Sequence, residues 1–233
     1  MPNALDLYSR VEDLLGVNEV TPTLYEYYFS TLEGLEFKSL LDVGCGRGAF
    51  LEQLQKRFPS TSLLGTDLSP LMVKTTQKRG LDAKCIDICR LNTKFKVITA
   101  VFDMVNYLDD NELIKFMRCV ENRLEDGGYF ICDINSLYAF SEIAVGSFIK
   151  DDDDRFVTID SFFEEGEYYS EFTLFERVDN HFLKSKESIT QYYHTVEKLQ
   201  KVTNLKLLEK KSISVYGDEV EKFYLVFKKS RDT

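Results

Sequence analysis

No run in this chain approaches the ~20 consecutive apolar residues that span a bilayer. Residues 1–10 show no basic stretch followed by an apolar run. Neither a membrane span nor a secretory leader is expected. Basic residues are in the minority: 29 Lys and Arg stand against 39 Asp and Glu, a formal charge of −10. Affinity for a phosphate backbone comes from Lys and Arg, so this balance argues against a general nucleic-acid binder. There are only two histidines, His181 and His194, and no Cys-x-x-Cys pair. Tetrahedral zinc sites draw on such spacings, so no metal site is expected. The five cysteines, Cys45, Cys85, Cys89, Cys119 and Cys132, form an odd set. They read as reduced thiols used as small apolar residues, which fits a cytoplasmic location.

What is present is ordinary globular composition. Apolar residues make up 44% and charged residues 29% of 233, which excludes wholesale disorder. Residues 5–15 carry a weak helical pattern and residues 23–35 a second one, with Pro22 near its start. From residue 38 strands and helices alternate. Strands are expected at 38–43, 62–66, 83–86, 95–102 and 129–133, with helices at 49–57, 70–79 and 111–124. That alternation predicts a parallel sheet with helices on both faces. After Ser136 the texture changes. Three strand-like runs, 156–163, 168–178 and 183–193, are joined by the turn sequences EEGE and VDNH, which implies antiparallel hairpins. The acidic run Asp151–Asp154 reads as a solvated loop, since its ligand spacing is wrong for calcium. A helix at 195–202 and strands at 205–214 and 222–228 follow, and the last two could finish the main sheet as an antiparallel pair.

The chemistry centres on Asp42-Val43-Gly44-Cys45-Gly46-Arg47-Gly48, directly after one strand and before a helix. Glycines at alternate positions allow positive φ and a surface free of side chains. A ligand can then lie against the backbone, facing a helix N-terminus at the carboxyl end of a strand. Asp67 closes the second strand, where an ionised carboxylate can accept both hydroxyls of a ribose. Asp87 closes the third, where it can accept from an exocyclic amine. A lone Asp is more often a cap or a solvated residue; three at successive strand ends are harder to dismiss.

These residues resemble the class I S-adenosylmethionine-dependent methyltransferases. DVGCGRG is similar to the family's glycine-rich motif, GTDLSPLMV to its ribose-binding segment and CIDI to its adenine segment. FDMVNYL, LEDGGYFICDIN and the three-strand insertion look most like the small-molecule branch, which includes N-methyltransferases of sugars and amines. The resemblance implies an α/β fold: a Rossmann-like, doubly wound, mostly parallel seven-stranded sheet with an antiparallel β insertion, or lid, after the fifth strand. It implies a helical cap over 1–36, a cofactor domain over 37–136 and 194–233, and a lid over 137–193.

Carried over to this chain, the resemblance gives S-adenosylmethionine as cofactor. Gly44, Cys45 and Gly46 meet its methionyl part, and Asp42 places its amino group. Asp67 holds the ribose, Leu68 packs beside the adenine, and Asp87 with Ile88 reads the adenine edge. Phe102 and Asp103 stand where methyl meets acceptor. Tyr8, Tyr25 and Tyr28 are candidates to cover the cofactor. The family often carries a Tyr-Asp pair there; the nearest match here is Glu12-Asp13. Asp103 and Tyr107 are the candidate acceptor-site residues. The expected acceptor is a small molecule, and the sequence leaves monomer and homodimer open. RNA or protein methylation and a non-catalytic cofactor-binding module stay open as alternatives. Nicotinamide-dependent oxidoreduction is disfavoured by the glycine spacing.

Overall fold

The computed structural model describes residues 2–214 and 217–230, apart from the side chains of residues 2–3 and 17–20. Two helices open the chain, α1 (Pro2–Val11) and α2 (Val17–Glu33). The alternating segment follows as β1 (Ser39–Val43), α3 (Ala49–Arg57), β2 (Ser62–Asp67), α4 (Pro70–Lys78), β3 (Ala83–Cys85), β4 (Phe95–Ala100), α5 (Asp110–Arg123) and β5 (Leu124–Asn135). The insertion holds β6 (Gly146–Asp151), β7 (Arg155–Glu164), β8 (Glu167–Val178) and β9 (His181–Tyr192). The chain then runs through α6 (Val196–Lys201), β10 (Lys206–Ile213) and β11 (Lys222–Lys228).

Seven strands form one sheet in the order β10-β11-β5-β4-β1-β2-β3. The five strands from β5 to β3 are parallel, and β11 and β10 add to β5 as antiparallel neighbours. β1 is buried along most of its length, as a strand covered on both faces must be. Its apolar run divides between the two faces. Leu41 and Val43 belong to the core against α5 and α6, while Leu40 belongs to the core against α2 and α3. Local chemistry fixes the helix starts. Asp109 and Glu112 form a reciprocal capping box on α5, and Ser69 and Thr195 cap α4 and α6. The chain order reverses on either side of β1, so the crevice beyond the carboxyl ends of β1 and β4 is a switch point where α/β sheets bind ligands.

The insertion differs from expectation in one respect. It has four strands, because Gly146–Asp151 pairs with β7 from Gly146↔Ser161 to Asp151↔Phe156. That strand is exposed throughout, so it carries no alternating apolar signal to read. The acidic run closes this hairpin, with Asp152 Oδ1 accepting from the backbone N–H of Asp154 and Arg155. The EEGE turn has consecutive positive φ at Glu165 (51°) and Gly166 (88°), the left-handed geometry of tight hairpins. α1 packs on this second sheet: Ala4, Leu7 and Val11 share a core with Val157, Phe172, Leu174 and Ile189.

A second correction concerns sulfur. Cys89 and Cys119, 30 residues apart, are joined as a disulfide between the turn after β3 and α5. Cys45, Cys85 and Cys132 are free thiols. Among the described residues no helix is long and apolar enough to cross a membrane, and no cluster of His, Cys, Asp and Glu could hold a metal ion.

Candidate active site

The strand ends and the insertion enclose one cavity of about 780 Å³. Its floor is the glycine turn. Gly44 lies at φ 73° and Gly46 at φ 52°, a region that side chains rarely enter. A Cβ on Gly44 would also sit 2.5 Å from Met104 Cγ, whereas Gly46 faces open space. The turn is pinned to β2, since the N–H groups of Gly44 and Cys45 both donate to Thr66 O, at 2.7 and 3.0 Å. Asp67 ties the second strand to the same turn. Its Oδ2 accepts from Gly46 N–H at 3.0 Å and its Oδ1 from Ser69 N–H at 2.8 Å. Burial lifts its carboxyl above the usual range despite these bonds. Asp42 is 2% exposed and accepts from Thr99 Oγ1 at 2.8 Å. Loss of solvation pushes its pKa up to about 7, and the nearby Asp67 charge adds to the effect. Asp87 Oδ1 caps the following turn through Cys89 N–H at 2.8 Å, and Ile88 is buried beside it.

Asp42, Gly44, Cys45, Gly46, Asp67, Leu68, Asp87, Ile88, Phe102, Asp103, Tyr107, Tyr8 and Tyr25 all line this cavity, as do Glu12 and Asp13. Tyr28 does not. It is fully buried between α2 and the sheet, and its hydroxyl donates to Asp133 Oδ1 at 2.6 Å. A phenol whose tip finds a buried carboxylate is a core residue here, not a cofactor cover.

The opposite wall comes from the insertion and the segment after β4. Ile159, Tyr168, Ser170, Phe172, Ile189 and Gln191 face the cavity from β7, β8 and β9. Tyr8 meets Phe172 edge to face, with ring centroids 6.1 Å apart, so α1 and the insertion close over one end together. Phe102 (φ 64°) and Asp103 (φ 49°) are consecutive left-handed residues without a glycine. Such backbone costs about 1–3 kcal/mol per residue and persists only when its surroundings enforce it. Asp133 supplies the enforcement: its Oδ1 accepts from Phe102 N–H at 2.8 Å and its Oδ2 from Asp103 N–H at 2.9 Å. Asp103 in turn accepts from Gln191 Nε2 on Oδ2 and from Lys222 Nζ on Oδ1, each at 2.6 Å. Burial raises the Asp103 carboxyl, and the Lys222 ammonium opposes that rise.

Asp133, Gln191 and Lys222 escaped the sequence reading. Asp133 sits in the strand run YFICD and could have been singled out as a charged residue in an otherwise apolar parallel strand. Gln191 and Lys222 carry no local signal. His194 is buried with Nε2 donating to Leu108 O at 2.8 Å, a structural contact outside the cavity.

Fold and site together define a Rossmann-like α/β protein with a ligand-sized cavity at its switch point. Residues 40–128 match the methyltransferase domain family. Over 103 residues the chain is 35% identical to the dTDP-3-amino-3,4,6-trideoxy-alpha-D-glucopyranose N,N-dimethyltransferase of Streptomyces venezuelae, covering 42% of this chain and 43% of that enzyme. The chain thus matches less than half the length of its curated relatives. A crystal structure of an S-adenosylmethionine-dependent methyltransferase from Clostridium acetobutylicum shares the fold with a TM-score of 0.77 at 27% identity, over 97% of each chain. A sugar N-methyltransferase from a Streptoalloteichus species shares it with a TM-score of 0.69 at 18% identity, over 99% of this chain and 94% of that one. Residues 40–128 thus form a methyltransferase domain, in a chain whose whole fold is similar to that of an S-adenosylmethionine-dependent methyltransferase.

The cofactor named for that similar structure is S-adenosylmethionine, and the cavity here suits it. Thr66 Oγ1 lies buried in the wall with no hydrogen-bond partner, Gly46 leaves its face open, and two carboxylates flank the turn. A cation with a nucleoside attached meets each of these needs.

Proposed function

We propose that the protein transfers the methyl group of S-adenosylmethionine to a small-molecule acceptor, an amine, a sugar amine or a similar compound, by in-line displacement. When bound, the sulfonium supplies an already activated methyl, so the protein's task is alignment. Holding two reactants in attack geometry is worth about 7–11 kcal/mol. The observation that carries this reading is a single cavity with the glycine turn and strand-end aspartates on one wall and Asp103, Gln191 and the aromatic insertion on the other.

Asp42, Gly44, Cys45 and Gly46 would hold the methionyl part and Asp67 the ribose, Leu68 would pack beside the adenine, and Asp87 with Ile88 would read the adenine edge. Tyr8 and Phe102 would cover the reacting end. Asp103 and Tyr107 would receive the acceptor, with Asp103 accepting an N–H so that the nitrogen lone pair faces the methyl. The insertion over 137–193 would act as a lid and 1–36 as a cap, over a cofactor domain of 37–136 and 194–233. The dimethyltransferase relative, which acts on an amino sugar by its name, supports an amine acceptor.

Titration calorimetry with S-adenosylmethionine and its demethylated product, followed by mass-spectrometric detection of product from an amine and amino-sugar panel, tests the proposal. Binding that Asp67→Ala weakens at least about tenfold, the loss of one charge-assisted contact, is the expected result. A folded protein that binds neither nucleoside would overturn it.

A further inference from the structure

The Asp103 carboxylate lines the cavity with a buried ammonium bonded to one oxygen and the Gln191 amide to the other. Lys222 opens β11, and its Nζ reaches Asp103 Oδ1 at 2.6 Å, Asn135 Oδ1 at 2.7 Å and Asp133 Oδ2 at 3.1 Å. An ammonium has three N–H donors, and all three are used. Lys222 therefore has nothing left to offer a substrate. Asp133 is equally committed: Tyr28 Oη and Phe102 N donate to Oδ1, Asp103 N and Lys222 Nζ to Oδ2. Asp103 alone has spare capacity. Each of its oxygens takes one donor, Gln191 or Lys222, which leaves a lone pair on each at the cavity wall.

The charges also count. Two carboxylates and one ammonium leave the cluster with one net negative charge, and Lys222 and Asp103 are each only 14% exposed. Methyl transfer to an amine breaks the S–CH3 bond, forms N–CH3 and moves the positive charge from sulfur to nitrogen. A fixed negative charge beside that nitrogen favours the shift.

We infer that Lys222 is a positioning residue that keeps Asp103 ionised and aimed at the acceptor nitrogen, so that the enzyme selects amines over alcohols. This rests on the proposed function. Without the ammonium, Asp103 and Asp133 would be two buried like charges, and one would take up a proton. Asp103 would take it, because Asp133 stays held by three other donors. The other groups facing Asp103 are Gln191, Tyr107 and Tyr168, none of which can replace the lost positive charge.

The full chain carrying Lys222→Met should show a protonated-carboxyl stretch in its infrared spectrum at neutral pH. That band should disappear in Lys222→Met/Asp103→Asn. The acid limb of kcat/KM for an amine should move up by about one pH unit or more. At neutral pH kcat/KM should fall about tenfold, with S-adenosylmethionine affinity changed less than about threefold. Lys222→Arg should restore most of the rate, and Lys222→Gln should repeat the infrared and pH results if the Met variant fails to fold. A variant with no carboxyl band and a parental pH limb overturns the inference, as does an equal loss of cofactor and amine affinity that Arg does not rescue. If the parent protein binds the cofactor but methylates no amine, the proposed function fails, while the infrared result still reads the state of Asp103.

Discussion

Gly46 and Asp67, bonded across one wall of the cavity, are 21 residues apart in the chain, whereas Asp103 and Lys222, bonded across the other, are 119 apart. The first wall is a glycine turn and the ends of three successive strands, so the connections of two consecutive βαβ units position every group. The second wall needs β5, β9, β11 and the segment after β4 to meet. Its geometry depends on the sheet having closed in one order and on the insertion having folded back. The two walls should therefore respond differently to substitution: the first mainly in ligand affinity, the second in fold and affinity together.

The largest effect is expected at Asp133→Asn. The substitution puts an amide where four donors converge on two carboxylate oxygens, and it leaves Lys222 short of a partner. Breaking a buried ion pair costs about 3–5 kcal/mol, which urea unfolding would read. A loss under about 1 kcal/mol, the value of an ordinary hydrogen bond, would mean that this wall does not depend on the cluster.

Asp42→Asn probes the first wall. The folded pKa of Asp42 is about 7, above its ordinary value. An acid raised in this way binds more protons in the native state, so its contribution to stability falls as pH climbs from about 4 to about 7 and then levels off. At about 1.4 kcal/mol per pH unit the ceiling is about 4 kcal/mol. Asp42→Asn should flatten that slope and raise stability at pH 8, while weakening a cationic cofactor. Unchanged stability-versus-pH curves would remove Asp42 as a strained group. In the parent, cofactor affinity should rise as pH passes upward through about 7.

Cys89→Ser tests the stitch between the first wall and α5. A bridge closing a loop of 30 residues is worth about 2–4 kcal/mol. Because Cys89, Ile88 and Asp87 line the cavity, calorimetry should also show a few-fold weaker cofactor. Thermal unfolding that is the same with and without reductant would contradict this. The smallest effect is expected at Tyr168→Phe, which removes one hydrogen bond, to Ala144 O at 3.0 Å. About 1 kcal/mol of stability is at stake, and a much larger loss would show the insertion to be less independent than its own core implies.

Sequence reading placed α3 and β11 to the residue and the remaining strands of the main sheet within about two residues, except β5, which begins at Leu124 rather than Tyr129, because apolar runs are local while Gly127 and Gly128 read as a break. It also gathered the glycine turn with Asp42, Asp67 and Asp87, since a carboxylate at a strand end is positioned by the strand itself. It misplaced Tyr28, whose helix gives no sign of which aromatic turns to the cavity and which to the sheet. It missed β6, whose exposed residues alternate with nothing. It read Cys89 as a thiol, because its partner lies on a helix 30 residues on.

The amino-acid order alone determined the parallel sheet, its glycine turn and the row of acids above it, for these follow from backbone conformations set within a few residues. Only the tertiary structure decided that Lys222 meets Asp103, that Asp133 holds two left-handed residues in place, and that α1 roofs the insertion. Those contacts join segments far apart in the chain, and their donors and acceptors are paired only once the core has excluded water.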